Sequence, residues 1–288
     1  MNKFNIFIDG TTIFSTASSI IVRIGILLIF YTRKDKPRYV LLTPSVLVKQ
    51  LIYDRHQKEW IKVFIRNAID FGTMRRIYLL EEYSTSQFKR HEDVKSFYEH
   101  IIKIKKTPLI IDCGGNIGLA SKYFSKNYNN SKILCIEPEK SNLLQARINN
   151  PSGDIDFIES AIGSKDGFGS ILSKKVENNS YQISSSSDGE ILITSINELL
   201  KKYDKNYYFP YILKIDIEGY ESDLFSKNCE WINSFPIIII ELHDWMMPRG
   251  RTSFNFLNAI APLDRDFLCL GENIFSISNQ VDEVLATQ

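Results

Sequence analysis

The sequence predicts an α/β fold, a mostly parallel sheet with helices on both faces and one reversed strand near its edge. Three observations carry this expectation. From Thr107 onward, short apolar runs alternate with amphipathic stretches, the pattern of parallel strands joined by crossover helices. "PIIIIELHDW" opens with the unbroken run Ile237 to Ile240, which suits a strand buried on both sides. "RDFLCLGENIFSIS" reads as two strands about Gly271, and so short a connection permits only antiparallel pairing.

Taken in order, residues 1–74 read as an N-terminal extension without a recognisable motif, and residues 75–288 as the main domain. In the extension, the chain is mostly apolar from Ile13 to Tyr31 and then basic at Arg33, Lys34 and Lys36. A spanning helix needs about 20 apolar residues, whereas this stretch carries Arg23 and several Ser and Thr. The basic residues follow the apolar run, the wrong order for a signal peptide. The expectation is a buried helix or strand pair, with peripheral membrane contact through residues 13–38 as the alternative. "YVLLTPSVLVKQLIY" suggests β structure, and "EWIKVFIRNAIDFG" a short helix ending at Gly72.

In the main domain, strands are expected in "PLIIDC", "KILCIEPE", "DIDFIES", "ILITS", "YILKIDIEG" and "PIIIIELHDW". Helices are expected in "GLASKYFSKNY", in "SNLLQARINN" with Ser141 as cap, from Ser195 onward, and through "YESDLFSKNCEWI". "NNSYQISSSSDGE" reads either as a loop over a substrate or as a hairpin tip.

Charge and cysteine content narrow the function classes. The 35 basic and 34 acidic residues leave a net charge of +1, so no global field draws the chain to nucleic acid, and no nucleic-acid partner is expected. Cys113, Cys135, Cys229 and Cys269 form no C-x-x-C pair. A zinc cluster is therefore not expected, and Cys113 and Cys135, inside apolar runs, read as small buried hydrophobes in a reducing, cytoplasmic setting. Oligomeric state is not legible in the sequence.

The expected strands deliver ionisable groups to one rim: Asp112, Glu137, Asp216 with Glu218, and Glu241 with His243. In open α/β sheets ligands bind at that rim. The turn "DCGGNIG" lacks the first glycine of a dinucleotide fingerprint. Asp112, Gly114 and Gly118 fit instead an acid followed by spaced glycines, with Asn116, which tolerates φ > 0, in the middle place. Glu137 stands 19 residues after Gly118, near the spacing of an acid that grips ribose hydroxyls. Asp112 at the turn would repel a pyrophosphate and attract the ammonium of S-adenosylmethionine. An NAD-dependent oxidoreductase or epimerase is the enzymatic alternative, and a non-catalytic nucleotide-binding scaffold the other.

The segments "IIDCGGNIG", "CIEPE", "FIESAIG", "LKIDIEGYE" and "IIIIELH", in this order, resemble the FkbM family of S-adenosylmethionine-dependent methyltransferases over roughly residues 75–280. "KIDIEGYE" followed by the Ile-rich strand ending "ELH" is the most specific part. The resemblance implies a Rossmann-like class I methyltransferase sheet with an antiparallel C-terminal strand. It also implies O-methylation, often of a sugar hydroxyl on a glycan, a lipid-linked saccharide or a secondary metabolite.

Residue roles follow. Gly114, Gly115 and Gly118 would let the backbone approach the cofactor. Asp112 would meet the methionine ammonium or cap the next helix, and Asn116 would donate to the methionine carboxylate or serve the turn alone. Glu137 would accept both ribose hydroxyls. Ser160 and Ala161 lie where adenine is expected. An alcohol acceptor needs a general base, with His243, Asp216, Glu218, Glu221 and Glu241 as candidates and His243 the chemically aptest. Lys214, a cation inside a buried strand, reads as an ion-pair partner of Asp216 or as a substrate-positioning group. The carboxylates are not compact in sequence, so no metal is expected. The D/N-P-P-Y/F tetrapeptide of amino-group methylation is absent after the fourth strand, where "DIEG" stands.

Overall fold

The computed structural model describes residues 37–43, 48–175, 180–185 and 189–279. The apolar run Ile13 to Tyr31 lies outside them, and with it the two readings of that segment. Among the described residues, no helix is long and apolar enough to cross a membrane. The chain divides into two compact units, Met1–Arg75 and Arg76–Gln288.

The first unit holds an antiparallel sheet of β1 (Tyr39–Leu41), β2 (Lys49–Asp54) and β3 (Glu59–Phe64), followed by helix α1 (Ala68–Met74). The helix expected through residues 59–72 is therefore a strand and then a helix. Ile61 and Val63 are buried while Trp60 and Lys62 face solvent, a period of two that belongs to a strand. The ladder from Lys49↔Phe64 to Asp54↔Glu59 satisfies its backbone. The helix starts only at Asn67, whose side chain accepts from the N–H groups of Ile69 and Asp70, both at 3.0 Å.

Arg38 grips the buried Asp54 through two nitrogens, the closer contact being 2.7 Å. Burial raises the Asp54 carboxyl, but the bonds and charge of Arg38 and the N–H groups of Gln57 and His56 outweigh it and hold it below its usual range. A depressed carboxyl stabilises fully above the unfolded pKa, about 3.9, and loses that contribution as pH falls through its lower folded value. Thermal midpoints of the native protein and Asp54→Asn should thus differ at pH 6 and converge in acid. A gap that ignores pH would remove the ion pair as its source.

The second unit runs α2 (His91–Lys103), β4 (Thr107–Cys113), α3 (Leu119–Asn127), β5 (Lys132–Ile136), α4 (Lys140–Asn149), β6 (Ile155–Ile158), β7 (Ala161–Gly163), β8 (Gly167–Lys175), β9 (Ser180–Ser185), β10 (Ile191–Ser195), α5 (Ile196–Lys202), β11 (Tyr208–Ile215), α6 (Glu221–Leu224), β12 (Ile237–Glu241), α7 (Phe254–Ile260), β13 (Arg265–Leu270) and β14 (Asn273–Ser278). Seven strands form the main sheet in the order β13-β14-β12-β11-β4-β5-β6. All neighbours from β12 to β6 pair in parallel, and β14 runs antiparallel to both β12 and β13. This is the mostly parallel sheet with a reversed C-terminal strand that the family resemblance implied. The Ile-rich strand β12 is buried along its whole length, as its composition requires.

Three local expectations are corrected. Strand β10, read as one more unit of the parallel sheet, instead joins a separate four-stranded sheet in the order β7-β10-β8-β9. Its stretch "SYQISS" is strand β9, paired antiparallel with β8, so the hairpin reading of that segment fits the described residues. Helix α4 is capped by Glu139, whose carboxylate accepts from Asn142 N–H at 2.7 Å, and Ser141 sits inside the helix. The long helix expected through residues 220–232 is one turn, α6, and a 3₁₀ turn at Glu230–Ser234. Asn228 between them has φ of 56°, outside helical space.

One face of the sheet carries a core that includes Ile111, Leu134, Leu213, Ile238, Ile240, Phe225, Trp231 and Phe256. This packing fixes the strand ends. The chain builds β4, β5 and β6 outward in one direction and then returns to place β11 on the other side of β4. The strand order reverses at β4, and a crevice opens beyond the strand ends there.

Candidate active site

The turn after β4 is shaped by its own neighbours. A Cβ on Gly114 would lie 1.8 Å from the Asp216 carbonyl oxygen, one on Gly115 2.4 Å from Cys135 Sγ, and one on Gly118 2.7 Å from Asn150 Nδ2. Gly114 and Gly118 also have φ near +75°, at 78° and 74°. The glycines expected to admit a cofactor thus let the chain approach itself, and of the three only Gly114 lines the crevice. Asn116 takes its left-handed place with φ of 46°.

Asp112 does not face the crevice. It is fully buried beneath the turn, where Ser121 Oγ donates to its Oδ2 at 2.6 Å and Lys214 Nζ stands 3.1 Å from its Oδ1. Among the described residues no backbone N–H donates to it, so the helix-capping bond expected of it is not formed. Lys214 is also buried, donates to the Gly114 carbonyl at 2.9 Å, and lies 3.6 Å from Asp216 Oδ2. Burial works against its charge, but Asp112 and Asp216 outweigh it and raise its pKa. Its nearer partner is Asp112, across the β4–β11 register pair Lys214↔Asp112, a cross-strand contact that spacing along one strand does not reveal. Lys214 is absent from the crevice wall, so it positions the turn rather than a substrate.

The crevice has about 580 Å³ of open volume, with Glu137, Asn116, Asn142, Ser160, Ala161, Asp216, Glu218 and Tyr220 among its lining, together with apolar Ile136, Pro138, Ile162 and Ile217. Glu137 accepts from Asn116 N–H at 2.8 Å, Glu139 N–H at 3.1 Å and Asn142 Nδ2 at 3.1 Å. Burial nevertheless raises its carboxyl above the usual range. A carboxylate offers about four acceptor positions, so Oε2, which receives one bond, keeps room for a single further donor. The Ser160 hydroxyl is committed to the Ala161 and Leu192 carbonyls and to Thr194 Oγ1.

At the other end of the crevice, the ends of β11 and β12 bring together groups far apart in sequence. Strand β11 stops at Ile215, so Asp216 and Glu218 share no strand face. Glu218 has φ of 56°, and the turn points both carboxylates to His243. His243 Nε2 lies 3.5 Å from Asp216, 3.7 Å from Glu218 and 3.7 Å from Glu241. Its Nδ1 donates to Glu221 Oε1 at 2.9 Å, and Glu221 is fully buried.

Burial disfavours the charged imidazole, but Asp216 and Glu221 outweigh it and push His243 up to about 11. Burial would raise Asp216, yet Lys214 and His243 hold it well below the carboxylate range. Burial and the Asp216 charge push Glu218 to about 7 and Glu241 to about 8. With carboxylates on every side and no cation among them, His243 favours its charged form, which does not suit a general base, whereas a cation at Nε2 would hold the ring neutral. Asp216, Glu241 and His243 each present an atom within 4.8 Å of the other two. The metal-free expectation had rested on sequence spacing, and the fold closes that spacing.

Residues 112–268, more than half of the chain, match the methyltransferase FkbM domain. The chain belongs to the FkbM methyltransferase family. The family is one of methyltransferases, for which the resemblance read in the sequence implies S-adenosylmethionine as cofactor. Among solved structures, it is similar to the FkbM methyltransferase from Methylobacillus flagellatus KT, at 13% identity and a TM-score of 0.40, covering 73% of this chain and 60% of that one. The chain thus spans less than two thirds of that protein. It is also similar to a putative O-methyltransferase from Klebsiella pneumoniae, at 8% identity and a TM-score of 0.37, covering 74% and 91%. A third is an S-adenosylhomocysteine-bound methyltransferase from Podospora anserina, at 10% identity and a TM-score of 0.37, covering 74% and 88%. No match is found among the curated proteins.

The crevice fits this cofactor. Asn116 Oδ1 is buried without a hydrogen bond, an acceptor suited to an ammonium donor, and it lines the same wall as Gly114. Glu137 Oε2 would take a ribose hydroxyl, and Ile136, Pro138 and Ile162 would give the base an apolar seat. Sequence reasoning missed Asn142, Ile217 and Tyr220, which line the crevice. Asn142 had a findable signal, since the first turn of a helix just after an acid at a strand end faces that acid. Glu137→Ala should weaken S-adenosylmethionine binding in calorimetry by about 1–3 kcal/mol, the cost of a lost charge-assisted bond. Unchanged affinity would reject the ribose contact.

Proposed function

We propose that this FkbM methyltransferase transfers the methyl group of S-adenosylmethionine to a hydroxyl, with a sugar or a similarly polyhydroxylated molecule as the acceptor. One observation carries the reading. The cofactor crevice ends on Asp216 and Glu218, a pair of carboxylates held against an imidazolium, so proton-accepting groups stand where an acceptor must enter. An alcohol has to lose a proton as it is methylated, and several acceptor oxygens at the mouth suit a ligand rich in hydroxyls.

The cofactor, when bound, supplies an electrophilic methyl. The protein's part is to align, exclude water and take up the proton. Glu218 lines the crevice with its side chain about a third exposed, at 32%, and takes the proton. His243, clamped at Nδ1 by Glu221, sets its Nε2 among the carboxylates of Asp216, Glu218 and Glu241. Lys214 holds the Gly114 carbonyl and so the turn that positions the cofactor.

The dinucleotide alternative loses one argument and keeps another. Asp112 is neutralised by Lys214 and would not repel a pyrophosphate. The family match and the reversed strand β14 speak against an oxidoreductase instead. A scaffold reading is disfavoured by Glu218, whose upward-shifted carboxyl faces a crevice rather than a structural partner.

The test is transfer of label from methyl-labelled S-adenosylmethionine to a panel of oligosaccharides, glycolipids, amines and RNA. Label in an alkali-stable ether on a saccharide is the expected result. Label confined to amines or RNA, or no transfer to any hydroxylated acceptor despite measurable cofactor binding, would overturn the hydroxyl assignment.

A further inference from the structure

The geometry points to a divalent metal site formed by Asp216, Glu241 and His243, taking a hard cation such as Mn²⁺ or Mg²⁺ beside the acceptor. These groups come from the ends of neighbouring strands. The β11–β12 register runs to Ile215↔Ile240, so the next residue of each strand, Asp216 and Glu241, is an acid on the same rim. Each of the three offers one ligand atom within 4.8 Å of the others.

Three independent features point to an ion rather than to a bare acidic cluster. First, His243 is almost fully buried, at 2% exposure, and Glu221 fixes its Nδ1, leaving Nε2 aimed at the cluster. A carboxylate that orients a ligating histidine is the usual outer support of such sites. Second, Glu241 is nine-tenths buried, at 9% exposure. Among the described residues its carboxylate has no hydrogen bond, and its nearest ion contact is His243 Nε2 at 3.7 Å. The neighbouring Arg76 is already shared between Glu82, at 3.7 Å, and Glu272. Third, Asp216 divides its oxygens, with Oδ2 toward Lys214 and Oδ1 toward His243, which leaves one oxygen on the cluster side.

The spacings of 3.5 Å and 3.7 Å around Nε2 are too long for hydrogen bonds. Ligand atoms about 2.1 Å from an octahedral ion stand roughly 3 Å apart when adjacent, so a contraction of roughly 0.5 to 0.7 Å brings Nε2 to that distance from both carboxylates. Two carboxylates balance a dication, and an oxygen-rich set with one imidazole suits manganese or magnesium over soft metals. Asp216 lines the crevice, so the ion's open positions would face the acceptor, bind its oxygen and make its hydroxyl easier to deprotonate. That catalytic role rests on the proposed methyl transfer to a hydroxyl, whereas metal binding does not.

The test titrates Mn²⁺ into chelator-treated protein, followed by electron paramagnetic resonance and calorimetry. S-Adenosylmethionine affinity is measured separately. One saturable ion per chain is expected. Glu241→Gln, which keeps side-chain shape, should weaken it at least tenfold while cofactor affinity and the circular dichroism spectrum stay unchanged. Glu221→Gln should weaken it 10- to 100-fold through the histidine. No saturable binding, or binding that Glu241→Gln and Asp216→Asn both leave intact, would overturn the site. Saturable binding with equal methyl transfer before and after chelation would overturn the catalytic role alone. Loss of cofactor affinity with metal binding retained would count against the crevice reading instead.

Discussion

Lys214→Met should be the most destabilising single change in the second unit, lowering stability in urea denaturation by about 3–5 kcal/mol. Lys214 and Asp112 are 2% and 0% exposed. Removing the ammonium leaves Asp112, among the described residues, with Ser121 Oγ as its one close donor, a charge stranded in a dry interior. Lys214 also ties β11 to the turn through the Gly114 carbonyl, so cofactor affinity should fall with stability. Asp112→Leu added to Lys214→Met should recover most of the loss, because an apolar replacement for a buried pair is often neutral. A single variant within about 1 kcal/mol of the native protein would show that water reaches Asp112 and that the pair is not buried in solution.

That pair shows what the sequence could and could not disclose. The parallel sheet, the order of its strands along the chain and the reversed strand β14 were legible, because burial on two faces forces continuous apolar runs and a short connection forces antiparallel pairing. The acids at the strand ends were legible for the same reason, since β4, β5, β11 and β12 otherwise hold little that is polar. Which acid meets which cation was not. Lys214 pairs across strands with Asp112, and cross-strand register depends on a crossover whose geometry no local spacing encodes.

The glycines misled in a similar way. Their spacing marked the turn correctly, but their smallness serves contacts with Asp216, Cys135 and Asn150, partners that exist only after folding. The segment from residue 59 to residue 72 failed for a different reason. Its apolar residues satisfied a helical period loosely, while strict alternation at Ile61 and Val63, with strand β2 ready beside it, satisfied a strand. Tertiary pairing decided between two periodicities that the sequence alone leaves close.

Glu218→Gln should lower turnover about 10²- to 10⁴-fold, the usual contribution of a positioned base, with S-adenosylmethionine affinity retained. The assignment follows by elimination among the groups around the crevice mouth. His243 has its Nδ1 taken by Glu221 and is not among the crevice lining. Asp216 is held well below the carboxylate range by Lys214 and His243 and is too weak a base. Glu241, pushed to about 8, is mostly protonated at neutral pH and does not line the crevice. Glu218, pushed to about 7, is partly ionised there and strong enough to keep a proton it receives. A cation held by Asp216, Glu241 and His243 would increase its ionised fraction, so the metal site and this base act in the same direction. Rapid-quench single turnovers separate chemistry from product release. The amide should slow the methyl-transfer step itself, and Glu218→Asp should restore part of the rate. A Glu218→Gln enzyme with full single-turnover rates would pass the proton to another group or to water and end this assignment.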